Sequence, residues 1–342
     1  NSRMTEWNEE KERKVLRKYR FTLTKRIIGI MILLFVAYQL AVGGLKWLIE
    51  KTNNANEYSY YIDTIISMTN PTLRTEFGHF YRQYESVDNR FTYRLEYPVH
   101  RLVGEEEIPV GTVYLEKKLL QRNPVVEIRY NQQEQKNAFR FTYPEHPQTG
   151  AKLDGENSDH SWEVLEKVHE GTVADFAFSL DRFMDMEDFL EMLEGYDIHI
   201  LWMPLHVGEK VYHETSSGGP DGVKRFVYGG NFGIGNVDKV ELVTFERNMR
   251  RWRHSVGEED DMFFVKDVYL ENIRRVNNED KVRMFGMYYL EDQLLDYHDF
   301  LEENGFQVYG AVVTGPVKEL LKLREIEGIT TAQVGKLTYW NW

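Results

Sequence analysis

The chain lacks cysteine altogether, although it has 342 residues. It therefore has no disulfide, no thiol nucleophile and no thiolate metal ligand. Eukaryotic secreted domains of this size often carry disulfides, so the composition is more typical of a bacterial protein that does not depend on oxidative folding. The Gly-x-Ser-x-Gly elbow, the phosphate-binding loop and the His-Glu-x-x-His zinc motif are missing too. We predict a protein that is not an enzyme, with no catalytic, cofactor-binding or metal-binding residue.

Positive charge is scarce after the first 26 residues. The whole chain has a net charge of −13, yet residues 1–26 hold nine Lys/Arg and four Asp/Glu, which leaves −18 for the remainder. A body this acidic is poorly suited to sequence-independent binding of polyanions. We predict no nucleic-acid partner.

Residues 27–45, IIGIMILLFVAYQLAVGGL, contain no charged side chain. As a helix rising about 1.5 Å per residue, this stretch is roughly 28 Å long, close to the ~30 Å hydrocarbon core of a bilayer. It has no polar face of the kind a soluble helix shows, and no Ala-x-Ala cleavage pattern follows it. We predict a single membrane span that includes Ile27, Leu34 and Leu45.

The charges that flank the span predict its orientation. Between the span and Arg74 only Lys46 and Lys51 are basic, against nine basic residues before it. The positive-inside rule therefore places the N-terminus in the cytoplasm and the large body on the extracytoplasmic side of the cell membrane.

Residues 9–24 form a predicted basic amphipathic helix that runs into the span. Its apolar face consists of Val15, Leu16, Tyr19 and Leu23. This face is either a cytoplasmic partner-binding surface or one side of a stalk that lies on acidic lipid headgroups.

The outer body divides into two predicted regions. Residues 48–157 form a strand-rich membrane-proximal region, because segments such as 90–96, 125–130 and 138–143 alternate with period two. Residues 158–342 form an α+β sensor domain. The boundary falls in a turn-rich stretch before residue 158.

The second region contains two strand–helix–strand units, over residues 172–203 and 306–340. Two such units facing each other give the split βαβ, ferredoxin-like arrangement. We expect the helices to serve as the crossovers that parallel strand pairing requires. The nearly continuous apolar run at residues 308–313 places its strand at the centre of the sheet.

An irregular insertion, residues 206–257, separates the two units. It carries His206, His213, Lys224 and Arg225, and loops on a rigid scaffold often hold function. An alternative reading is therefore a membrane-anchored extracytoplasmic ligand-binding protein or enzyme with its site in this insertion. Histidines seven residues apart do not have zinc-ligand spacing, so we interpret them as core or surface residues.

Several segments resemble the sigma factor regulator family, membrane anti-sigma proteins of Gram-positive bacteria that control extracytoplasmic-function sigma factors. The segments are 303–316 (ENGFQVYGAVVTGP), 330–342 (which ends in LTYWNW), 171–181, 195–202 and, near the N-terminus, 69–74 together with the basic helix and span. The resemblance implies a transcription regulator of cell envelope stress whose outer domain senses the envelope. Its inner segment would hold an extracytoplasmic-function sigma factor, directly or through a second membrane subunit. It also leaves room for a homodimer or hetero-oligomer.

Overall fold

The computed structural model describes eleven stretches of the chain. They are residues 9–75, 84–131, 139–156, 158–208, 213–219, 222–229, 231–235, 258–277, 283–286, 290 and 293–339, with backbone alone at 9–10, 84, 213, 217–219, 222–224 and 258–264. Of the predicted insertion, residues 209–212, 220–221, 230 and 236–257 lie outside this set.

Helix α1, Glu9–Thr52, is one continuous helix of 44 residues. It confirms the predicted helix over 9–24 that runs into the apolar stretch, and it continues past Leu45 for two more turns. Among the described residues, a single helix, Lys11–Thr52, is long and apolar enough to cross a membrane.

The membrane-proximal region begins with a second helix and continues as a four-stranded sheet. The elements are α2 (Ala55–Thr69), β1 (Tyr84–Val87), β2 (Tyr93–Val103), β3 (Glu106–Lys117) and β4 (Val125–Tyr130). The strands form an antiparallel meander in chain order. The prediction of a strand-rich region is confirmed, and β4 coincides with the predicted strand over 125–130.

The strand predicted over residues 138–143 is wrong. In the described part, 139–143, there is one isolated bridge, between Thr142 and Tyr228. The alternating side chains Phe139, Phe141 and Tyr143 are nonetheless buried. The segment packs across a face of the C-terminal sheet and does not join its edge. Its period-two pattern therefore arises because alternate side chains are buried, and not because the segment pairs as a strand of that sheet.

The C-terminal region alternates strands and helices. Its elements are α3 (Asp159–Lys167), β5 (Thr172–Asp185), α4 (Met186–Leu193), β6 (His199–Pro204), β7 (His213–Gly219), β8 (Gly222–Tyr228), β9 (Gly233–Gly235), α5 (Glu258–Val276), α6 (Leu294–Asn304), β10 (Gln307–Pro316), α7 (Val317–Lys322), a 3-10 turn (Leu323–Glu325) and β11 (Ile329–Tyr339).

The five-stranded sheet has the order β11-β5-β10-β6-β9. Its first four strands reproduce the split βαβ arrangement, and β10 is central as predicted. All its neighbouring strands pair antiparallel, so the expectation of parallel pairing is wrong. The two strands of each unit run in the same direction, but the crossover leaves a gap between them that a strand of the other unit fills.

The two faces of this sheet carry different contents. Along β5, Phe176 and Phe178 point into the core beneath the helices. Ala177 faces the buried aromatic segment 139–143 on the other side. Because side chains alternate along a strand, Asp175 shares the face of Ala177 and points away from the helices.

The insertion is more regular than predicted within its described residues. Strands β7 and β8 form an antiparallel hairpin, and β9 extends the main sheet beside β6. Gly233 lies against the Trp202 indole and the Met203 carbonyl, where a Cβ would collide. The glycines here permit close backbone packing.

Candidate functional site at the membrane-proximal helix

The predicted partner face lies on the N-terminal part of α1. Its four apolar side chains, Val15, Leu16, Tyr19 and Leu23, are all exposed. They lie within about 100° of one another around the helix axis at 3.6 residues per turn, and thus share one side. The helix therefore presents an apolar strip beside its basic residues.

The span residues differ in their surroundings. Ile27 and Leu34 are exposed along the isolated length of α1. Leu45 instead packs against the core of the membrane-proximal sheet, and Ile49, one turn later, is buried in it. The outer end of the apolar stretch is thus joined directly to the folded body.

His206 lies in an aromatic cage. Its ring stacks on Phe183 with centroids 4.0 Å apart, and it contacts the edges of Phe300 and Tyr143 at 4.8 and 6.3 Å. Burial lowers the pKa of His206 to about 4, so the imidazole is neutral at physiological pH. Its surroundings are those of a packed core histidine.

The other residues of the predicted ligand site belong to the β7–β8 hairpin. Arg225 is exposed on β8, opposite Ser216. The backbone of His213 pairs with Tyr228, while the side chains of His213 and Lys224 lie outside the described set. Within that set, no hydrogen bond or ring contact joins His206 to Arg225, so the structure does not bring these two side chains together.

One group of side chains has metal-ligand geometry. Atoms of His298, Asp299 and Glu302 on α6 lie within 4.8 Å of one another. The two carboxylates are exposed, His298 Nδ1 is 3.0 Å from Asp299, and Glu302 is 3.6 Å from Arg274. The His298–Asp299 hydrogen bond and the Glu302–Arg274 ion pair thus engage all three side chains.

Helix α2 was not anticipated from the sequence. The stretch 51–70 has many Tyr, Asn and Ser residues and looks polar. Two signals nevertheless mark a helix. The Asn54 side chain caps its start by accepting from the Asn56 and Glu57 amides, and Ile62, Ile65 and Ile66 recur at helical spacing.

Helix α2 contributes to both hydrophobic cores. Ile62 and Ile66 are buried in the core of the membrane-proximal sheet. Ile65 and Met68 are buried in the core of the C-terminal sheet. Because a helix is nearly rigid along its length, a shift of either sheet displaces the same element.

Polar contacts fix α2 on the C-terminal side. The Tyr60 hydroxyl donates to Asn272 Oδ1 of α5 at 2.7 Å. The Trp202 indole N–H of β6 donates to the Ser67 carbonyl at 2.9 Å. The first bond is buried and the second is partly buried. Because hydrogen bonds are directional, the two bonds fix the rotation of α2 about its axis.

On the opposite side, α2 carries a buried carboxyl group. Asp63 accepts a hydrogen bond from the Tyr97 hydroxyl of β2 at 2.8 Å. Burial raises the pKa of Asp63 well above its ordinary value, although the bonds from Tyr97 and Thr75 oppose this shift. Burial and the neighbouring Asp63 also raise the pKa of Tyr97, which keeps this hydroxyl a donor.

A cluster of polar side chains around Asn53 joins α1 to α2 and to the membrane-proximal sheet. Asn53 Nδ2 donates to the Ile49 carbonyl at the end of α1, at 2.7 Å. Its Oδ1 accepts from the Tyr58 hydroxyl of α2 at 3.0 Å and from Lys117 Nζ of β3 at 3.2 Å. The apolar helix, α2 and the sheet therefore meet at one side chain.

The two sheets also meet directly at a buried ion pair. Arg101 of β2 binds the carboxylate of Asp175 of β5, and both are almost fully buried. Asp175 further accepts the Lys336 amide of β11. Burial raises the pKa of Asp175, while the guanidinium of Arg101 favours the charged form. Nearby, the Gly104 amide donates to Thr314 Oγ1 of β10.

Asp63→Asn is expected to stabilise the protein near neutral pH. Because the folded-state pKa of Asp63 is raised, the stability that protonation gives is present in acid and is lost as pH rises through that pKa. Asparagine keeps the acceptor for Tyr97 without the charge. The free energy of unfolding of the variant should exceed that of the parent at pH 7, and the gap should close towards acid by at most about 1.4 kcal/mol per pH unit. Denaturant unfolding of the detergent-solubilised chain across pH measures it.

Asp88→Asn is the matched control with the opposite sign. Hydrogen bonds from the Thr92 and Arg90 amides lower the pKa of Asp88, so its contribution is present at neutral pH and is lost as pH falls. This variant should lose stability at pH 7. An Asp63→Asn variant that also loses stability at pH 7 would contradict the assignment of Asp63 as a destabilised buried acid.

Taken together, these contacts define a class of protein: an α+β body packed onto the end of one long apolar helix, with a second helix shared between two sheets. Comparison with known sequences agrees. Residues 165–336 match the family described as Sigma factor regulator C-terminal, and residues 13–108 match Sigma factor regulator N-terminal. The chain belongs to the sigma factor regulator family.

A curated relative is similar over most of both proteins. The chain is 25% identical over 300 residues to the probable anti-sigma-M factor YhdL of Bacillus subtilis (strain 168), covering 85% of this chain and 72% of the relative. No solved structure matches the chain.

Proposed function

We propose that this protein is a membrane-anchored anti-sigma factor whose outer α+β body controls an inner segment that holds a sigma factor. Family membership carries this proposal, and the name of the Bacillus subtilis relative supports it. The absence of a catalytic constellation among the described residues is compatible with a regulator, and the aromatic packing of His206 gives no support to an enzyme or ligand site in the insertion.

In this proposal the N-terminal strip of α1 is cytoplasmic and the sheets are extracytoplasmic. The nine basic residues before the apolar stretch support that orientation. Val15, Leu16, Tyr19 and Leu23 form the partner face. The sigma factor, of the extracytoplasmic-function class, binds there directly or through a second membrane subunit, and the chain acts as a homodimer or hetero-oligomer.

The junction at α2 supplies the coupling. A signal outside alters binding inside only if it interacts unequally with two states of the protein. A single span transmits such a difference by piston movement, rotation or association. Because Ile49 and Asn53 attach α1 to the folded body, a displacement of α2 is passed to the span without a flexible linker.

Site-specific photocrosslinking in living cells tests this proposal. A photoreactive amino acid at Tyr19 of the full-length gene product should capture a sigma factor, or a membrane subunit with which a sigma factor co-purifies. The matched position is Leu295, which is also exposed but lies on α6 of the outer body; it should capture no sigma factor.

Direct capture of a sigma factor at Tyr19 also places the N-terminal part of α1 on the cytoplasmic side, because sigma factors act there. The proposal is overturned if Tyr19 captures neither a sigma factor nor a subunit with which one co-purifies, and deletion of the gene leaves every sigma regulon unchanged. Capture of a sigma factor at Leu295 would contradict the proposed orientation.

A further inference from the structure

The loop that joins β3 to β4, residues 118–124, exposes two adjacent leucines. Leu119 is 47% exposed and Leu120 is 97% exposed, so Leu120 has almost no contact with the rest of the chain. Val125, the first residue of β4, is 55% exposed. Leucines clustered at the tip of a hairpin mark an interaction surface more often than isolated exposed residues do.

Topology places this hairpin at the end of the body where α1 enters. The far end of β2 meets the C-terminal sheet, through Arg101. The near end begins after the β1–β2 turn, where Asn89 accepts from Lys46 Nζ of α1 at 2.8 Å. Strand β3 is antiparallel to β2 and ends at Lys117, opposite Tyr93. The hairpin therefore leaves the sheet toward the apolar part of α1.

A contact with the residue after α1 sets the level of Lys117. Lys117 Nζ lies 3.2 Å from Oδ1 of Asn53, which directly follows α1 and is seven residues after Lys46. Seven helical residues rise about 10 Å. Three residues span at most about 10 Å, and here the chain turns after Lys117, where the Gln121 amide donates to the Lys118 carbonyl at 2.9 Å. Leu120 therefore projects from Lys117 toward the level of Lys46, which immediately follows the charge-free stretch 27–45.

The side chains around the leucines suit a membrane surface. Lys118 and Arg122 of the hairpin and Arg90 of the β1–β2 turn are exposed. Of the acidic residues at this end, Asp88 and Glu116 are both paired with Arg94, and Glu50 and Glu85 lie beside Tyr93. Lys46 and Lys51 of α1 add to the positive charge here. A locally basic rim around apolar side chains is the composition that binds lipid interfaces, even on a body that is acidic in total.

We propose that the β3–β4 hairpin inserts Leu119 and Leu120 into the outer lipid interface of the membrane that α1 crosses. This inference rests on the membrane anchoring in the proposed function. Together with the span, the hairpin gives the body two separate attachments to the bilayer. Rotation or tilt of the span then requires the hairpin to move in the lipid, so the outer leaflet becomes part of the coupling.

The absence of cysteine allows a direct test. Single-cysteine variants of the full-length chain, Leu120→Cys, Leu34→Cys and Leu295→Cys, are labelled with an environment-sensitive fluorophore and reconstituted in vesicles of phosphatidylcholine and phosphatidylglycerol. The label at Leu120 should emit at shorter wavelength than the label at Leu295, be quenched by lipids that carry a shallow nitroxide, and be several-fold less sensitive to iodide.

Leu34 and Leu295 separate the two proposals. Leu34 lies in the predicted span, so failure of its label to respond to deeply placed nitroxide lipids would contradict the membrane anchor itself. Leu295 is 52% exposed on α6 and should respond to iodide alone. If Leu34 is in lipid and the label at Leu120 behaves like that at Leu295, the hairpin proposal is overturned while the anchor stands. Shielding at Leu120 that disappears on dilution with lipid would assign the surface to a second copy of the chain and would also overturn it.

Discussion

Replacing Val312 by aspartate is expected to destabilise the C-terminal sheet by more than about 4 kcal/mol, at the severe end of single substitutions. Val312 is fully buried at the centre of β10, between Ala177 of β5 and Trp202 of β6. Its side chain belongs to the apolar core that includes Phe141. A carboxylate there has no partner, so it must either take up a proton or force the site open.

Val312→Ala is the matched control for this prediction. It removes methyl groups at the same position and leaves a cavity without a charge, so its cost should be clearly smaller. Thermal unfolding of the full-length chain in detergent, followed by circular dichroism, compares the two. Similar melting of both variants would show that the position tolerates a charge and that β10 is not the central buried strand.

The ferredoxin-like part of the fold could be predicted because its signals are local. The run 308–313 is apolar on both faces, as a central strand requires, and β10 is buried on both sides. Helix α4 could be predicted as well, because its apolar residues Phe189 and Leu193 recur at helical spacing. Pairing direction could not be read in the same way, because it depends on which strand fills the gap between β5 and β6, and that strand lies about 100 residues further along the chain.

The junction could not be predicted, because its contacts join residues distant in sequence. Tyr60 meets Asn272, and Arg101 meets Asp175. Tyrosines, asparagines and serines serve α2 as buried hydrogen-bonding groups, whereas in a sequence they indicate a polar, solvated stretch. Only the Asn54 cap and the isoleucine spacing were available as signals.

The insertion is the converse case. His206 follows a strand in a glycine-rich region, which is the usual setting of a functional loop residue. In the structure the imidazole is stacked on Phe183 and surrounded by rings, where burial keeps it neutral. The described contacts of His206 are therefore those of packing, while a binding site elsewhere in the insertion stays a prediction.

The ion pair between the two sheets leads to the second large effect. Arg101→Ala is expected to cost about 3–5 kcal/mol, because it leaves the buried Asp175 carboxylate without its cation. The double variant Arg101→Met, Asp175→Leu removes both charges and keeps apolar volume, so it should be far more stable than either single variant. Denaturant unfolding of the parent, Arg101→Met, Asp175→Leu and the double variant gives the coupling energy of the pair. Additive losses would show that the two side chains do not act as a unit.

The same double variant separates stability from signalling. Its chain should remain folded, but the orientation of β2 against β5 would no longer be fixed by charged hydrogen bonds, which are directional where apolar contacts are not. If the outer sheets control the span through their relative orientation, cells that carry this variant should show altered transcription of the sigma regulon and a reduced response to envelope stress, at normal protein level. An unchanged regulon response would mean that the signal passes through α2 alone, by way of the hydrogen bonds of Asp63, Ser67 and Asn53.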